Sequence, residues 1–398
     1  MSTQVESSAI GRVIGWTAIV ATLAITPWAT FDPINVPKLA VIALGGLITL
    51  GALLFNAKAL FARKHRTVQV LISLFVLDLT IVLFFAGTNP YQEFFGTYGR
   101  STGFVAYIAL ASLMLGAIVV ATSNFISTFA RYLLIVGGLS IGYGLLQVVG
   151  ADPIKWASLY SPVIGFLGNP NFQSSFVGFS GILAFGCICS KELKISWRVA
   201  YYAYLLVGAF VILKTESQQG FLVLAGGIAI VGIIWISSSE FKVLTIPALI
   251  VSGIGAVFVA LGSLNSGPLA SLLYKASVTY RGDYWRAAWR MGWENPLTGV
   301  GLDRFGENYR GFRDLLATTR RGPDVTSNSA HNVFLDIFSN TGLIGVTLYL
   351  LLHLLTLRAI IKYFKSSENF NVQFTALAAA WVAYVSQSII SVNQLGLA

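Results

Sequence analysis

The stretch SNSAHNVFLDIFSNTGLIG, residues 327–345, sets a histidine between a polar segment and a long apolar run. Histidine occurs three times in the chain, at 65, 331 and 353. An imidazole with an ordinary pKa of about 6.5 suits proton abstraction near neutral pH. His331, at the mouth of an apolar helix, reads either as an interfacial residue or as a general base. The preceding segment favours the base. Residues 262–332 carry nine basic side chains: Lys275, Arg281, Arg286, Arg290, Arg304, Arg310, Arg313, Arg320 and Arg321. Against them stand Asp283, Glu294, Asp303, Glu307, Asp314 and Asp324. Arginine outnumbers lysine eight to one, and the guanidinium fork grips phosphate through paired hydrogen bonds. An anionic ligand on the external face is therefore expected. Asn332 and Asp336 lie one helical turn apart and are expected to bond to each other or to order the entrance. Asp336 also reads as a first-turn carboxylate favoured by the helix dipole.

Other segments place polar groups at the edges of apolar runs. In TYRGDYWRAAWRMGWENPLTGVG (279–301), Trp285, Trp289 and Trp293 recur every four residues beside Arg286 and Arg290. The spacing predicts an amphipathic helix at the lipid surface, indoles at headgroup level and arginines outward, stopped by Asn295-Pro296. Arg281 falls at the expected helix start, where backbone N–H groups also favour anions. Gly299-Val300-Gly301 lacks the strand–turn–helix setting of a dinucleotide fingerprint and reads as a tight turn. In GNPNFQSS (168–175), Asn171 is expected to cap a helix, while Asn169, Asn171 and Gln173 also offer amides to a sugar or phosphate. KTESQQG (214–220) gathers Lys214, Glu216, Gln218 and Gln219, more polar groups than a turn requires. FFGTYGRSTGF (94–104) brings Arg100 to an interface, where it snorkels or meets a ligand. Asp78, inside LISLFVLDLTIVLFF, is an intramembrane carboxylate with either a functional or a structural reading. No Asp-x-Asp pair supports a metal-held nucleotide sugar, and no Ser-His-Asp order or Cys/His metal spacing occurs. Neither metal nor cofactor is expected, and no nucleic-acid module is present.

The elements that must position these groups are membrane helices. Of 398 residues, 56% are hydrophobic and 11% charged, with mean hydropathy +0.74, whereas soluble domains carry about 25% charged residues. Apolar runs long enough to cross a bilayer recur along the chain; being continuous rather than alternating, they exclude a β-barrel. Cys187 and Cys189 lie within one such run and indicate no disulfide framework. Spans are expected near 11–28, 39–55, 68–85, 103–121, 132–149, 172–189, 199–213, 221–236, 243–261, 333–356 and 376–394. The fold class is an all-α polytopic membrane protein of eleven or twelve transmembrane helices with one large external loop containing short helices. Nine spans fill residues 1–261, the loop fills 262–332, and the last spans fill 333–398. Lys58, Arg63, Lys64, Arg66, Arg131, Lys191, Lys194, Arg198, Lys242, Arg358, Lys362 and Lys365 fall on one side, against Lys38, Arg100, Lys155 and Lys214 in the short loops opposite. The N-terminus is therefore expected in the cytoplasm. The long basic loop does not disturb this, since loops beyond about 60 residues are exported regardless of charge. SVNQLGLA (391–398) reads as the approach to one more span, in a shortened chain or a half-inserted helix.

Together these segments resemble the O-antigen ligase family of membrane glycosyltransferases, which also holds O-antigen polymerases and protein O-oligosaccharyltransferases. The resemblance rests on RGDYW (281–285), ENPLTGVGLDRF (294–305), AHNVFLDIFSNTGLIG (330–345), GNPN (168–171) and FGTYGRSTGF (95–104), in family-like order over most of the chain. It implies a metal-independent transferase with its large external loop between two late spans. Such enzymes take a glycan from undecaprenyl pyrophosphate and attach it to an acceptor hydroxyl of a glycolipid, a growing polysaccharide or a protein, outside the bacterial cytoplasmic membrane. By motif, His331 falls on the family's essential histidine, a candidate base, and Arg281 on its pyrophosphate-contacting loop arginine. Many members carry Ser-Arg-Gly where this chain has Ser217-Gln218-Gln219-Gly220, so either Lys214 or Arg100 substitutes or the activity is altered. The family commonly has twelve spans.

The expected site thus comprises His331 as base, with Arg281, Arg100, Lys214, Asn169, Asn171, Gln218, Gln219, Arg286, Asn332 and Asp336 around the pyrophosphate and glycan. Two rival classes remain. A transporter or flippase for an anionic lipid or solute would use the same spans and basic vestibule without needing His331. A non-catalytic subunit of envelope-polysaccharide assembly would tolerate the missing membrane arginine.

Overall fold

The computed structural model describes residues 2–28, 31–62, 65–87, 89–156, 161–366 and 370–397. Arg63 and Lys64, counted toward the inward charge, and Ala398 lie outside the described residues. The protein is all-α, and a helix occupies the place of each expected span, although the first ends at Leu23 rather than 28 and the last at Ser388 rather than 394. Among the described residues, eight helices are long and apolar enough to cross a membrane: Asn35–Phe55, Arg66–Phe85, Ser123–Val148, Pro170–Ile188, Ile195–Lys214, Gln219–Ser237, Lys242–Ser263 and Val333–Ser366. Ala9–Leu23 and Phe104–Val120 are shorter apolar helices, and Val372–Ser388 follows them in the chain. A helix satisfies its own backbone polar groups, which is why such runs adopt it in lipid.

The chain forms two compact units. One comprises Met1–Tyr132, Asp283–Ala359 and Ser388–Ala398; the other comprises Leu133–Gly282 and Ile360–Gln387. In the first, the Asn35–Phe55 and Phe104–Val120 helices pack with backbones close together. A Cβ at Gly46 would lie 2.7 Å from the Cα of Ala109, the small-residue contact through which membrane helices approach. Asp32 starts the Asn35–Phe55 helix, its Oδ1 accepting the N–H groups of Ile34 and Asn35 at 3.2 and 2.8 Å. Lys38, counted above among loop charges, is instead wholly buried. Its Nζ donates to the carbonyls of Ala21, Thr22 and Ala24 at 3.0, 2.7 and 3.0 Å, satisfying groups that a helix end leaves without intrahelical partners. Residues 391–394 run without helix, and Leu395 is buried with Ala21, Leu39, Ile42, Ala106 and Ala109.

In the second unit, Pro170–Ile188 is the most enclosed span, packed by Ile195–Lys214 and Gln219–Ser237. Gly178 meets the latter helix closely, a Cβ there lying 2.8 Å from the carbonyl oxygen of Gly220. Polar side chains are paired inside: Gln387 Nε2 donates to Ser175 Oγ at 2.8 Å and to Gln219 Oε1 at 3.2 Å.

Two features shape the first unit around the seam. The Val333–Ser366 helix breaks at Gly342, where φ is 71° and ψ −162°, a conformation suited to glycine. The break frees backbone groups that the turn after Asn295 takes up. Val300 N–H donates to Ser339 O at 2.8 Å, and Leu343 N–H donates to Pro296 O at 2.7 Å. Gly299 and Gly301, at φ 61° and 101°, make this turn, and Arg304 N–H reaches Asn340 Oδ1 at 3.2 Å. ENPLTGVGLDRF and SNTG are thus two halves of one joint.

The loop helix runs Ala276–Glu294, so Arg281 occupies its second turn rather than its start. Its buried stripe within the first unit is Asp283, Tyr284, Ala287, Ala288, Met291 and Gly292, not the tryptophans. Trp289 and Trp293 flank that stripe, about half exposed, against Phe338 at ring separations of 5.6 and 5.9 Å.

Candidate active site

Much of the loop's arginine excess is taken up within the loop. Arg286 donates to Asp283 at 2.7 Å and to Asp314 at 2.6 Å, and Arg320 joins Asp283 at 2.6 Å. Arg290, Arg310 and Arg313 donate to the carbonyls of Phe312, Asp324, Val325 and Pro323, and Arg321 to the Tyr284 hydroxyl. Arg304 pairs with Glu307 at 2.9 Å and with the buried Glu93 at 3.6 Å. Arg286, expected on the ligand, is a brace between two aspartates. The Arg286 hydrogen bond holds the Asp314 carboxyl below the ordinary carboxylate range. Burial pushes the Tyr309 hydroxyl up to about 12, so it stays protonated.

One cation is presented differently. The segment GTYGRSTG winds through three positive φ angles, Gly96 at 93°, Gly99 at 79° and Ser101 at 55°. Two distant carboxylates hold that shape. Asp303 Oδ2 accepts the N–H groups of Thr97 and Thr102 at 2.8 and 3.3 Å, and Asp32 Oδ2 accepts that of Gly99 at 3.0 Å. The loop so formed aims Arg100 at the seam, where its Nη2 donates to Asn328 Oδ1 at 2.7 Å and to Ser329 Oγ at 3.4 Å. Burial lowers the Arg100 pKa while Asp336 and Asp303 raise it. Burial raises the Asp303 pKa, opposed by its N–H donors and Arg100.

His331 follows directly, at φ 53°, a left-handed conformation uncommon outside glycine. It is held from both sides. Ala330 N–H donates to Asp336 Oδ1 at 2.6 Å, and His331 N–H donates to Ser329 Oγ at 3.2 Å. The ring Nδ1 lies 3.2 Å from Ser329 Oγ and 3.3 Å from Ser329 O. The Tyr284 ring lies alongside, 5.4 Å between centroids. Asn332 and Asp336 do not act as a side-chain pair. Asn332 Oδ1 caps the helix, accepting the N–H groups of Phe334 and Leu335 at 3.0 and 3.1 Å, because an amide preceding a helix meets its orphan donors first. Asp336 turns back instead, to Ala330. Arg100, Asp303, Asn328, Ser329, Asp336, Asn340 and Asn393 are among the residues lining a cavity of about 30 Å³, room for a group or two of water size.

The remaining expected residues belong to the other unit. Asn169, not Asn171, is the N-cap of Pro170–Ile188, its side chain accepting Asn171 N–H at 2.9 Å, since Pro170 fills the first helical position. Asn171 Oδ1 accepts from Ser217 Oγ at 2.7 Å. Gln219 is buried against Gln387, and Gln218 donates to the carbonyl of Leu272. Lys214 is exposed, its ammonium 5.5 Å from the Phe210 ring centroid. Lys275 donates to the Glu216 carbonyl at 2.7 Å. GNPN and ESQQ are therefore mutually bonded.

Sequence reasoning did not single out Asp303, Asn328, Ser329 or Tyr284. Asp303 carried a readable sign, since it follows a Gly-x-Gly turn and itself has φ 56°. Ser329 carried none beyond its place two residues before the histidine.

No curated protein matches the chain. The family model for O-antigen ligase matches residues 203–350, a segment that includes Arg281, Asp303, Ser329, His331 and Asp336. Apolar helices, the arginine-rich loop and the histidine at its seam fall in that one segment, and it is over that segment that the chain is similar to the O-antigen ligase family.

Proposed function

We propose that this protein is a membrane glycosyltransferase of polysaccharide assembly, moving a glycan from undecaprenyl pyrophosphate to an acceptor hydroxyl on the external face of the cytoplasmic membrane. One observation carries the reading: His331 is held at Nδ1 by Ser329, which also receives the Arg100 guanidinium, within the segment matching O-antigen ligases. In the proposed reaction the acceptor O–H gives its proton to His331 while its oxygen attacks the anomeric carbon. The bond from that carbon to the pyrophosphate oxygen breaks, and the electron pair leaves with the diphosphate. Attack from the opposite face inverts the anomeric configuration. Arginine stabilises the leaving charge best in a partly dry pocket, and Arg281 is the residue proposed for that role. Positioning the hydroxyl and the base supplies the rest of the rate. The acceptor is a glycolipid, a growing polysaccharide or a protein.

The test is purified protein in nanodiscs, supplied with an undecaprenyl-pyrophosphate-linked glycan and candidate acceptors. His331→Ala is expected to abolish transfer while insertion and folding stay normal; a full rate in that variant removes the base role.

A second reading is favoured by Ser217-Gln218-Gln219-Gly220, where many family members carry an arginine. Here Ser217 and Gln219 bond inward, which suits a non-catalytic assembly subunit. In that case the host's glycan output survives His331→Ala. A flippase would instead move lipid-linked glycan without any transfer product.

A further inference from the structure

We propose that Ser329 is the positioning residue of His331, fixing the tautomer of the imidazole and its distance from Arg100. The inference rests on the transferase reading. In the Ser-His-Asp triad a carboxylate faces Nδ1. In this protein the nearby carboxylate, Asp336, accepts the backbone N–H of Ala330 at 2.6 Å. Nδ1 faces two oxygens of Ser329, the hydroxyl at 3.2 Å and the carbonyl at 3.3 Å.

The two oxygens have unequal chemistry. A hydroxyl either donates or accepts, but a carbonyl only accepts. The proton therefore belongs on Nδ1, and the lone pair on Nε2, as a base requires. When Nε2 takes a proton, the Ser329 carbonyl still accepts the Nδ1–H of the imidazolium.

The side chain does a second task. Ser329 Oγ accepts His331 N–H at 3.2 Å, a tight turn that keeps the residue at φ 53°. Ser327 Oγ donates to the Ser329 carbonyl at 2.8 Å and fixes the other oxygen. On its far side Oγ receives Arg100 Nη2 at 3.4 Å. One buried hydroxyl thus sets ring orientation, backbone turn and the spacing between base and guanidinium. Ser329→Ala removes all three while leaving the carbonyl attached to a loosened turn.

The experiment has two arms. The first uses ¹⁵N-histidine NMR on the full chain in nanodiscs, with His65→Gln and His353→Gln so that the signal is that of His331. The expected result is a predominant Nδ1–H tautomer in this background, the mixture of free imidazole in Ser329→Ala, and restoration in Ser329→Thr. The second measures transfer. Ser329→Ala should lower kcat on the order of 10²-fold, the cost of misplacing a reacting group by about 1 Å, with KM for the lipid-linked donor unchanged and Ser329→Thr recovering most of the rate. An unaltered tautomer in Ser329→Ala, or a loss confined to donor KM, overturns the proposal. If the unmodified chain transfers no glycan, the transferase reading fails, and the NMR arm still decides the role of Ser329.

Discussion

Asp303 reaches across 206 positions of sequence to accept the backbone N–H of Thr97 at 2.8 Å. That contact, with its partner at Thr102, turns a glycine-rich segment into a mount for Arg100. Asp303→Ala should unseat the mount and lower transfer at least tenfold, about 1.4 kcal/mol of lost stabilisation. Asp303→Asn keeps one acceptor oxygen and should fall between. Transfer rates for the two variants, compared at equal folded protein, check the order; equal losses would remove the role of the acceptor oxygen.

Arg281→Lys keeps the charge and loses the planar fork. If the loop arginine grips diphosphate with paired bonds, this variant should be impaired almost as strongly as Arg281→Ala. A rate close to that of the unsubstituted protein would show that a point charge suffices there.

The Arg286–Asp314 brace predicts a pH dependence confined to the loop. The Asp314 pKa is lowered by the Arg286 hydrogen bond. A group with a depressed folded pKa contributes stability that is complete above its unfolded value, near 4, and is lost as pH falls through the folded value. Hydrogen exchange over residues 305–325 should therefore stay slow at neutral pH and quicken below about pH 4. Asp314→Asn isolates the ion pair, because asparagine preserves the cap that Asp314 Oδ1 makes to Ala317 N–H at 2.7 Å. Its exchange should be faster at pH 7 and less dependent on acid. Parallel responses in both proteins would assign the acid effect elsewhere.

Gly342→Ala places a Cβ 2.5 Å from the Pro296 carbonyl oxygen, at φ 71°. Left-handed strain alone costs about 1–3 kcal/mol, and the clash adds to it. Thermal unfolding in detergent should shift down for this variant, and much less for Gly255→Ala, where a Cβ meets nothing within 4 Å.

The membrane helices were legible because continuous apolar runs admit one backbone solution in lipid. His331 was singled out by the change in chain character around it, and the structure sets its ring beside Ser329 and Tyr284. The arginine-rich loop misled in part: composition suggested ligand contacts, whereas Asp283, Asp314 and backbone carbonyls receive most of the guanidinium groups described. Pairings of that kind depend on which turn of one helix meets which turn of another, and composition carries no such register. Asn169 taking the cap in place of Asn171 is a local instance, decided by proline at the first helical position. Lys38 shows the same limit. A lysine near a span end reads as a loop charge until the carbonyls of the preceding helix are seen to surround it.

The break at Gly342 also has a mechanical meaning. Beyond it, residues 343–366 continue as one apolar helix. Before it, the short segment 333–341 is tied to the turn at 296–304 by the bonds from Val300 and Arg304. After it, Leu343 N–H is bonded to Pro296 of that same turn, so a single turn clamps both sides of the break and fixes where the segment leading back to His331 begins.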